Sequence, residues 1–505
     1  MNQGILTLTA ALLTVGLMGT GQAQTDKKPT TQKCGNYTVT TEPVTSAEYQ
    51  QERITLKGPK GVVYSTEDWM VETKWCKDVT GDGIPEVDLL LFSGGAHCCF
   101  SHKVYSLTTP PRLLLQADTA HTDALDPRQL DGKGPFELVT ADWRFAYGFG
   151  MSFAESVALP EVYSYVNGHY VVNTRAFPAL ISSWFSDVKK VEDSYSALAK
   201  VSELLLLGKD SQIDSTLRNA PADLRNWITG YLPDIREYLS TLGYNDYPVM
   251  AGVRPEDNTY ITAVGSFTTP GSKQVLSVLQ GSAKNPYVKA GQLGVVLIDK
   301  TSSGFKVTPT GLTLPRVAKD LYDEGFNLDV AVKRSNGLFD VVVRNSRSGS
   351  QKLQAYRMSK NTLVPVKNDA LDTALKAIQD LHNLSEVNEK IFDKTTKRTP
   401  AQLAALMDRA NLMRQQGKAW TPLLGIEPEQ VGEFDWYTLQ FLRDTPQEAQ
   451  IYVTLDYGTI PEDAGDYGVF GKRYGMTLTL QKDQNWKITS VDMTRLKASP
   501  YDENE

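Results

Sequence analysis

Histidine and cysteine are scarce in this chain, with five and four among 505 residues. Few histidines leave few places for general acid–base catalysis or for soft metal ions. The sequence holds no Gly-x-Ser-x-Gly, no His-Glu-x-x-His and no phosphate loop, which removes the enzymes that carry those motifs. Acid pairs of the glycosidase kind depend on separation in space and leave no such mark. Net charge is −7 with both signs mixed, and no run of Lys and Arg is dense enough to follow phosphates, so no nucleic-acid partner is expected. Long apolar runs are also missing. The uncharged stretch from Ile5 to Met18 is too short for a membrane span and ends in Gly-Thr-Gly-Gln-Ala23. It reads as a signal peptide over 1–23, although no Lys or Arg precedes it. No cysteine follows the expected cut, so a lipid anchor is not expected. The mature chain is then expected to be exported, to a periplasm, the cell envelope or the medium, without a transmembrane segment.

What chemistry there is collects between Cys76 and His102. Asp78, Thr80, Asp82, Ile84 and Glu86 alternate around Gly83. A hard cation such as calcium needs six to eight oxygens, and a glycine-bent loop supplies them from alternating positions. Here three carboxylates, the Thr80 hydroxyl and the Ile84 carbonyl would serve. Leu89 stands where an EF-hand needs its last glutamate, so the loop is not an EF-hand. A short acidic loop running into the apolar strand Val87–Phe92 resembles the FG-GAP/VCBS repeats of integrin α-subunit propellers. In that pattern Thr80 replaces an asparagine and Glu86 an aspartate. The resemblance implies propeller-like blades and a calcium site at these residues. A second copy, Gln129 to Glu137, aligns Glu137 with Glu86 but puts Gln129 and Lys133 at the positions of Asp78 and Asp82, and reads as a copy without its metal. The stretch from Val264 to Val278 reads as a degenerate third start with every acidic ligand gone.

Cys34, Cys76, Cys98 and Cys99 form an even set, which in an exported protein points to disulfides. Three pairings are possible. Bonding between adjacent cysteines closes a small ring, so the expectation is that Cys34 and Cys76 each bond one member of the vicinal pair. A competing use of this region is a copper site built from His97, His102 and His121, whose imidazoles suit that metal.

Along the chain, 24–178 reads as short strands and turns, with Asn167-Gly168 as a hairpin signal. Trp143 to Phe153, rich in aromatics, is expected either to pack over blade ends or to face a ligand. Helical spacing takes over in 179–247. One helix is expected across Val188–Leu205 with Ser186 or Asp187 as cap, a second from Pro221, and a third opened by Pro233. Strands return in 248–368, with a second hairpin signal at Asn336-Gly337. In 369–505 two helices, the second behind a Thr399–Gln402 capping box, precede a long antiparallel sheet, an order that resembles the cone fold of nuclear-transport-factor-like domains. Asp456, Asp463 and Asp466 read as solvated turn acids. The expected fold is mainly β with α insertions: propeller-like β blades, a helical insertion and a C-terminal α+β domain. The expected function is a calcium-stabilised, non-enzymatic envelope or secreted protein that binds an envelope protein or a glycan. The alternative is a copper-dependent redox protein.

Overall fold

The computed structural model describes residues 28–44, 51–95, 98–314, 326–346, 351–392, 397–417, 431–459 and 472–496. The expected signal peptide, His97, Asp463 and Asp466 lie outside the described residues. Among the described residues the chain is mainly β, with six four-stranded antiparallel sheets whose strands follow sequence order. The first holds β1 (Thr30–Cys34), β2 (Tyr37–Val44), β3 (Gln51–Gly58) and β4 (Gly61–Asp68), and the second β5 (Met70–Lys77), β6 (Glu86–Phe92), β7 (Phe100–Ser106) and β8 (Arg112–Ala120). The third holds β9 (Asp126–Arg128), β10 (Glu137–Asp142), β11 (Leu159–Val166) and β12 (His169–Val172). Five helices follow, α1 (Pro178–Trp184), α2 (Ser194–Leu206), α3 (Ile213–Leu217), α4 (Ala222–Ser240) and α5 (Tyr247–Met250). The fourth sheet is β13 (Asn258–Gly265), β14 (Gln274–Gln280), β15 (Leu293–Thr301) and β16 (Gly304–Leu314), and the fifth β17 (Phe326–Lys333), β18 (Phe339–Ser346), β19 (Gln351–Ser359) and β20 (Thr362–Pro365). Helices α6 (Ala370–Phe392) and α7 (Pro400–Gly417) lead to the sixth, β21 (Val431–Asp444), β22 (Glu448–Thr459), β23 (Lys472–Lys482) and β24 (Trp486–Arg495). A four-stranded meander of this kind is the blade of a propeller.

Neighbouring sheets share cores through the apolar residues their strands turn toward one another. In β6, Val87, Leu89 and Leu91 pack with Ile54 and Leu56 of the first sheet. In the third sheet, Leu138 and Tyr163 join Val104 and Leu115 of the second. The fourth and fifth sheets meet through Leu276, Val278, Val341 and Val343. The α6 face carrying Leu371, Ala374, Leu375, Ile378 and Leu381 is buried between the fifth and sixth sheets, as its spacing predicts. No described helix is long and apolar enough to cross a membrane.

Several local expectations need correction. Helix α2 begins at Ser194, not near Val188, because Asp193 makes the capping box: it accepts from Ser196 N at 2.8 Å, and Ser196 Oγ accepts from Asp193 N at 3.0 Å. Pro233 opens no helix. It lies inside α4, which runs on to Ser240 with its core face of Leu224, Trp227, Ile228, Tyr231 and Ile235 unbroken. The Asn167-Gly168 turn has both residues at positive φ, 52° and 86°, as a type I′ hairpin requires. At Asn336-Gly337 only the glycine does, and Gly337 N donates to Arg334 O at 2.9 Å, so a type I turn with a glycine bulge closes that hairpin. From the aromatic segment, Phe145, Phe149 and Met151 bury into the helical core while Tyr147 stays exposed. Asp456 is not a turn acid: it sits within β22 and its Oδ1 accepts from Arg473 Nε at 2.8 Å.

The disulfides differ from the expected pairing. Cys34 bonds Cys76, with Cα atoms 6.0 Å apart, and Cys98 bonds Cys99. Cys34 is the last residue of β1, and stacking of the first sheet on the second brings it over Cys76 near the end of β5. That contact between sheets leaves the adjacent cysteines to each other.

Candidate functional site: a repeated turn between strands

The loop joining β5 to β6 is held by its own carboxylates. Asp78 accepts from Gly81 N at 2.7 Å and from Gly83 N at 2.9 Å, and Asp82 accepts from Ile84 N at 2.8 Å. Gly81 and Gly83 have φ of 79° and 84°, the left-handed region where a side chain would be strained. Glu86, fully buried at the start of β6, accepts from Val79 N at 2.9 Å, from Thr80 N at 3.2 Å and from the Thr80 hydroxyl at 3.4 Å. Burial raises the Glu86 pKa, and the Val79 N–H works against that rise.

The same turn recurs in the next sheet. Gly132 and Gly134 take φ of 78° and 73°, and Glu137 accepts from Leu130 N at 2.9 Å. Gln129, at the place of Asp78, reverses polarity: its amide donates to Gly134 O at 2.9 Å. A third copy joins β13 to β14. There Gln274 accepts from Phe267 N at 2.9 Å and Thr268 N at 2.8 Å, and Gly271 has φ of 79°. Glu86, Glu137 and Gln274 thus make one bond at one spacing, to the N–H seven residues earlier. The turns also dock on the following sheet: Phe136 N donates to Val79 O at 2.8 Å, and Phe339 N to Ser266 O at 3.0 Å.

The fifth sheet replaces the turn with charge. Asp340, buried at the start of β18, accepts from Arg357 Nε at 2.7 Å and Arg334 Nη1 at 3.3 Å. Arg334 also reaches Asp369 at 3.2 Å and Asp444 at 3.0 Å. Guanidinium groups neutralise three carboxylates that sequence reading passed over, since they come from three distant segments. The only hint was an Arg and an Asp flanking the Asn336-Gly337 turn.

Among the described residues, no three His, Cys, Asp or Glu side chains gather as a metal site. Of the proposed oxygen ligands, Asp78 and Asp82 are presented at the loop surface with lone pairs to spare. Glu86 is turned inward onto Val79 and Thr80, and Thr80 is tied to it. In this conformation the loop does not close a cage around a hard cation. Of the proposed copper ligands, His102 is fully buried on β7, with Nδ1 at 2.8 and 3.0 Å from the two oxygens of Asp88 and Nε2 without a hydrogen-bond partner. Burial raises the Asp88 pKa, and the hydrogen bond from His102 opposes that. His121 packs edge-on against Trp143 and Phe153, at 5.5 and 4.7 Å between ring centroids. Compared with known proteins, the chain matches no family model and no curated protein.

Proposed function

We propose that the chain is an exported, calcium-stabilised binding or structural protein of the cell envelope or secreted space, and not an enzyme. One observation carries this reading. The turn is built three times with the same clamp, and the second and third copies form it without Asp78 and Asp82, placing Gln129 and Lys133, then Ser266 and Pro270, at those positions. The clamp therefore does not depend on Asp78 and Asp82, which in the first copy add negative charge to the loop they help to hold. Held by the N–H groups of Gly81 and Gly83 and of Ile84, they are suited to recruit a hard cation, with Thr80, Ile84 and Glu86 completing its shell after a local rearrangement. The blades and helices would then offer surfaces to an envelope protein or a glycan. Among the described residues the copper-dependent alternative rests on His102, whose carboxylate partner on Nδ1 is the kind that orients a metal-binding imidazole.

The test is a calcium titration of the mature protein followed by thermal melting. The wild type should gain thermal stability with calcium, and the Asp78→Asn/Asp82→Asn variant should melt at one temperature with or without it. No calcium response in the wild type would remove the ion from this reading, and tight copper that survives a chelator would turn it to the alternative.

A further inference from the structure

The third copy of the turn opens onto a cavity that the first two copies do not share. A space of about 440 Å³ lies where that turn, the end of α2, the last turns of α4 and the hairpin between β17 and β18 converge. Its lining is rich in positive charge: Arg175, Arg236, Lys273 and Lys333 face a single carboxylate, Asp210. Arg175 is already committed. Its guanidinium donates to Leu205 O, Leu206 O, Leu239 O and Leu242 O at 2.7–3.0 Å, closing the carbonyl ends of α2 and α4. The other three are not. Arg236 Nε is buried without a hydrogen bond and lies 3.8 Å from Asp210, while Lys273 and Lys333 are exposed and make no ion pair among the described residues.

A neighbouring compartment of about 520 Å³ shares Asp210, Arg236, Lys333 and Phe339 with the first, and adds a second carboxylate, Glu237, beside Thr438, Gln440, Val330, Leu439 and Phe441. Together the two form a crevice with a cationic mouth and an extension lined by both polar and apolar side chains, within the size range of small-ligand sites. Backbone comes close at the mouth because Gly208, Gly271 and Gly337 hold left-handed turns there, with φ of 67°, 79° and 78°. Two lysines without an ion pair and an arginine held only by a long ion pair to Asp210, around a partly enclosed space, attract an oxyanion more strongly than in bulk water, because the local dielectric is lower.

We propose that this crevice binds a small anionic molecule, with a phosphate or carboxylate head at Arg236, Lys273 and Lys333 and an apolar stem toward Val330, Leu439 and Phe441. The site is independent of the calcium reading, since it shares no residue with the acidic loop.

Isothermal titration of the full chain with hexyl phosphate, hexanoate, inorganic phosphate and hexanol tests it. Saturable binding is expected for hexyl phosphate, hexanoate or both, stronger than for inorganic phosphate, and none for hexanol. Whichever amphiphile binds better identifies the head group. The Lys273→Gln/Lys333→Gln variant, altered only at exposed side chains, should melt as the wild type does and bind about tenfold more weakly or worse. Lys60→Gln, an exposed lysine of the first sheet, should change nothing. No saturable binding of either amphiphile, equal binding of hexanol, or full affinity in the double variant would overturn the proposal.

Discussion

Arg334 grips Asp444 with two parallel bonds, Nε to Oδ2 at 3.0 Å and Nη2 to Oδ1 at 3.2 Å, across 110 residues of chain. The same guanidinium lies against the Phe441 ring, and Ser335 N donates to Asp444 as well. Asp369, beside the start of α6, joins through Arg334 and Arg357. This cluster rivets the fifth sheet to the helices and sheet that follow. Removing one partner of a buried charge set leaves the others unpaired, which costs far more than the set contributes as a whole. Arg334→Ala should therefore lower stability by about 3–5 kcal/mol, seen as a fall in melting temperature. Asp444→Asn, which keeps shape and acceptor oxygen, should cost less. Equal melting of wild type and Arg334→Ala would refute this role.

The clamp residue makes a sharper comparison. Gln274 does with a neutral amide what Glu86 does with a carboxylate. Glu86→Gln should therefore be tolerated, whereas Glu86→Ala strands the buried Val79 and Thr80 N–H groups. Leaving buried donors unmet costs about 1–3 kcal/mol. Melting curves of the two variants check the order, and a Gln variant as damaged as the Ala variant would show that charge, not hydrogen bonding, matters here.

Asp246 sets a pH dependence. It is buried between α4 and α5, accepts from Val172 N at 2.6 Å, and burial pushes its pKa up to about 6 from 3.8. A carboxyl whose folded pKa is raised favours the fold while protonated in both states. That advantage is full below about 3.8, declines as the unfolded chain ionises, and is gone above about 6. The protein should lose stability between pH 4 and pH 7 on this account, by roughly 3 kcal/mol at most. Asp246→Asn should flatten that slope in melts taken across the range; an unchanged slope would remove Asp246 from it.

Cys34 and Cys76 close a loop with a sequence separation of 42. Chain-entropy reasoning puts such a bond near 4 kcal/mol. Cys34→Ser should lower the melting temperature markedly. Peptide mapping without reduction should find Cys34 linked to Cys76, with Cys98 and Cys99 on a single peptide. A link from either to Cys98 or Cys99 would contradict the structure.

Much of the strand order was legible because alternation and hairpin residues are local signals. The Asn167-Gly168 turn and the buried face of α6 needed nothing beyond their own segments. The start of α2 was misplaced because Val188 and Val191 extend the apolar spacing while the capping decision rests on Asp193 and Ser196. Pro233 was misread because proline removes only one helical bond, and packing of α4 against the core around Trp227 and Tyr231 outweighs it.

The sequence by itself determined the repeated turn: a carboxylate or amide placed seven residues after an N–H it can reach, with glycine where the backbone must reverse, is a short-range instruction. It also determined the compartment expectation and the β-rich class. Tertiary structure alone decided which cysteines pair, that Arg334 meets Asp369 and Asp444, and that Arg236, Lys273 and Lys333 share one crevice. Those meetings join segments from 35 to 110 residues apart, and only the stacking of sheets and helices on common cores brings them together.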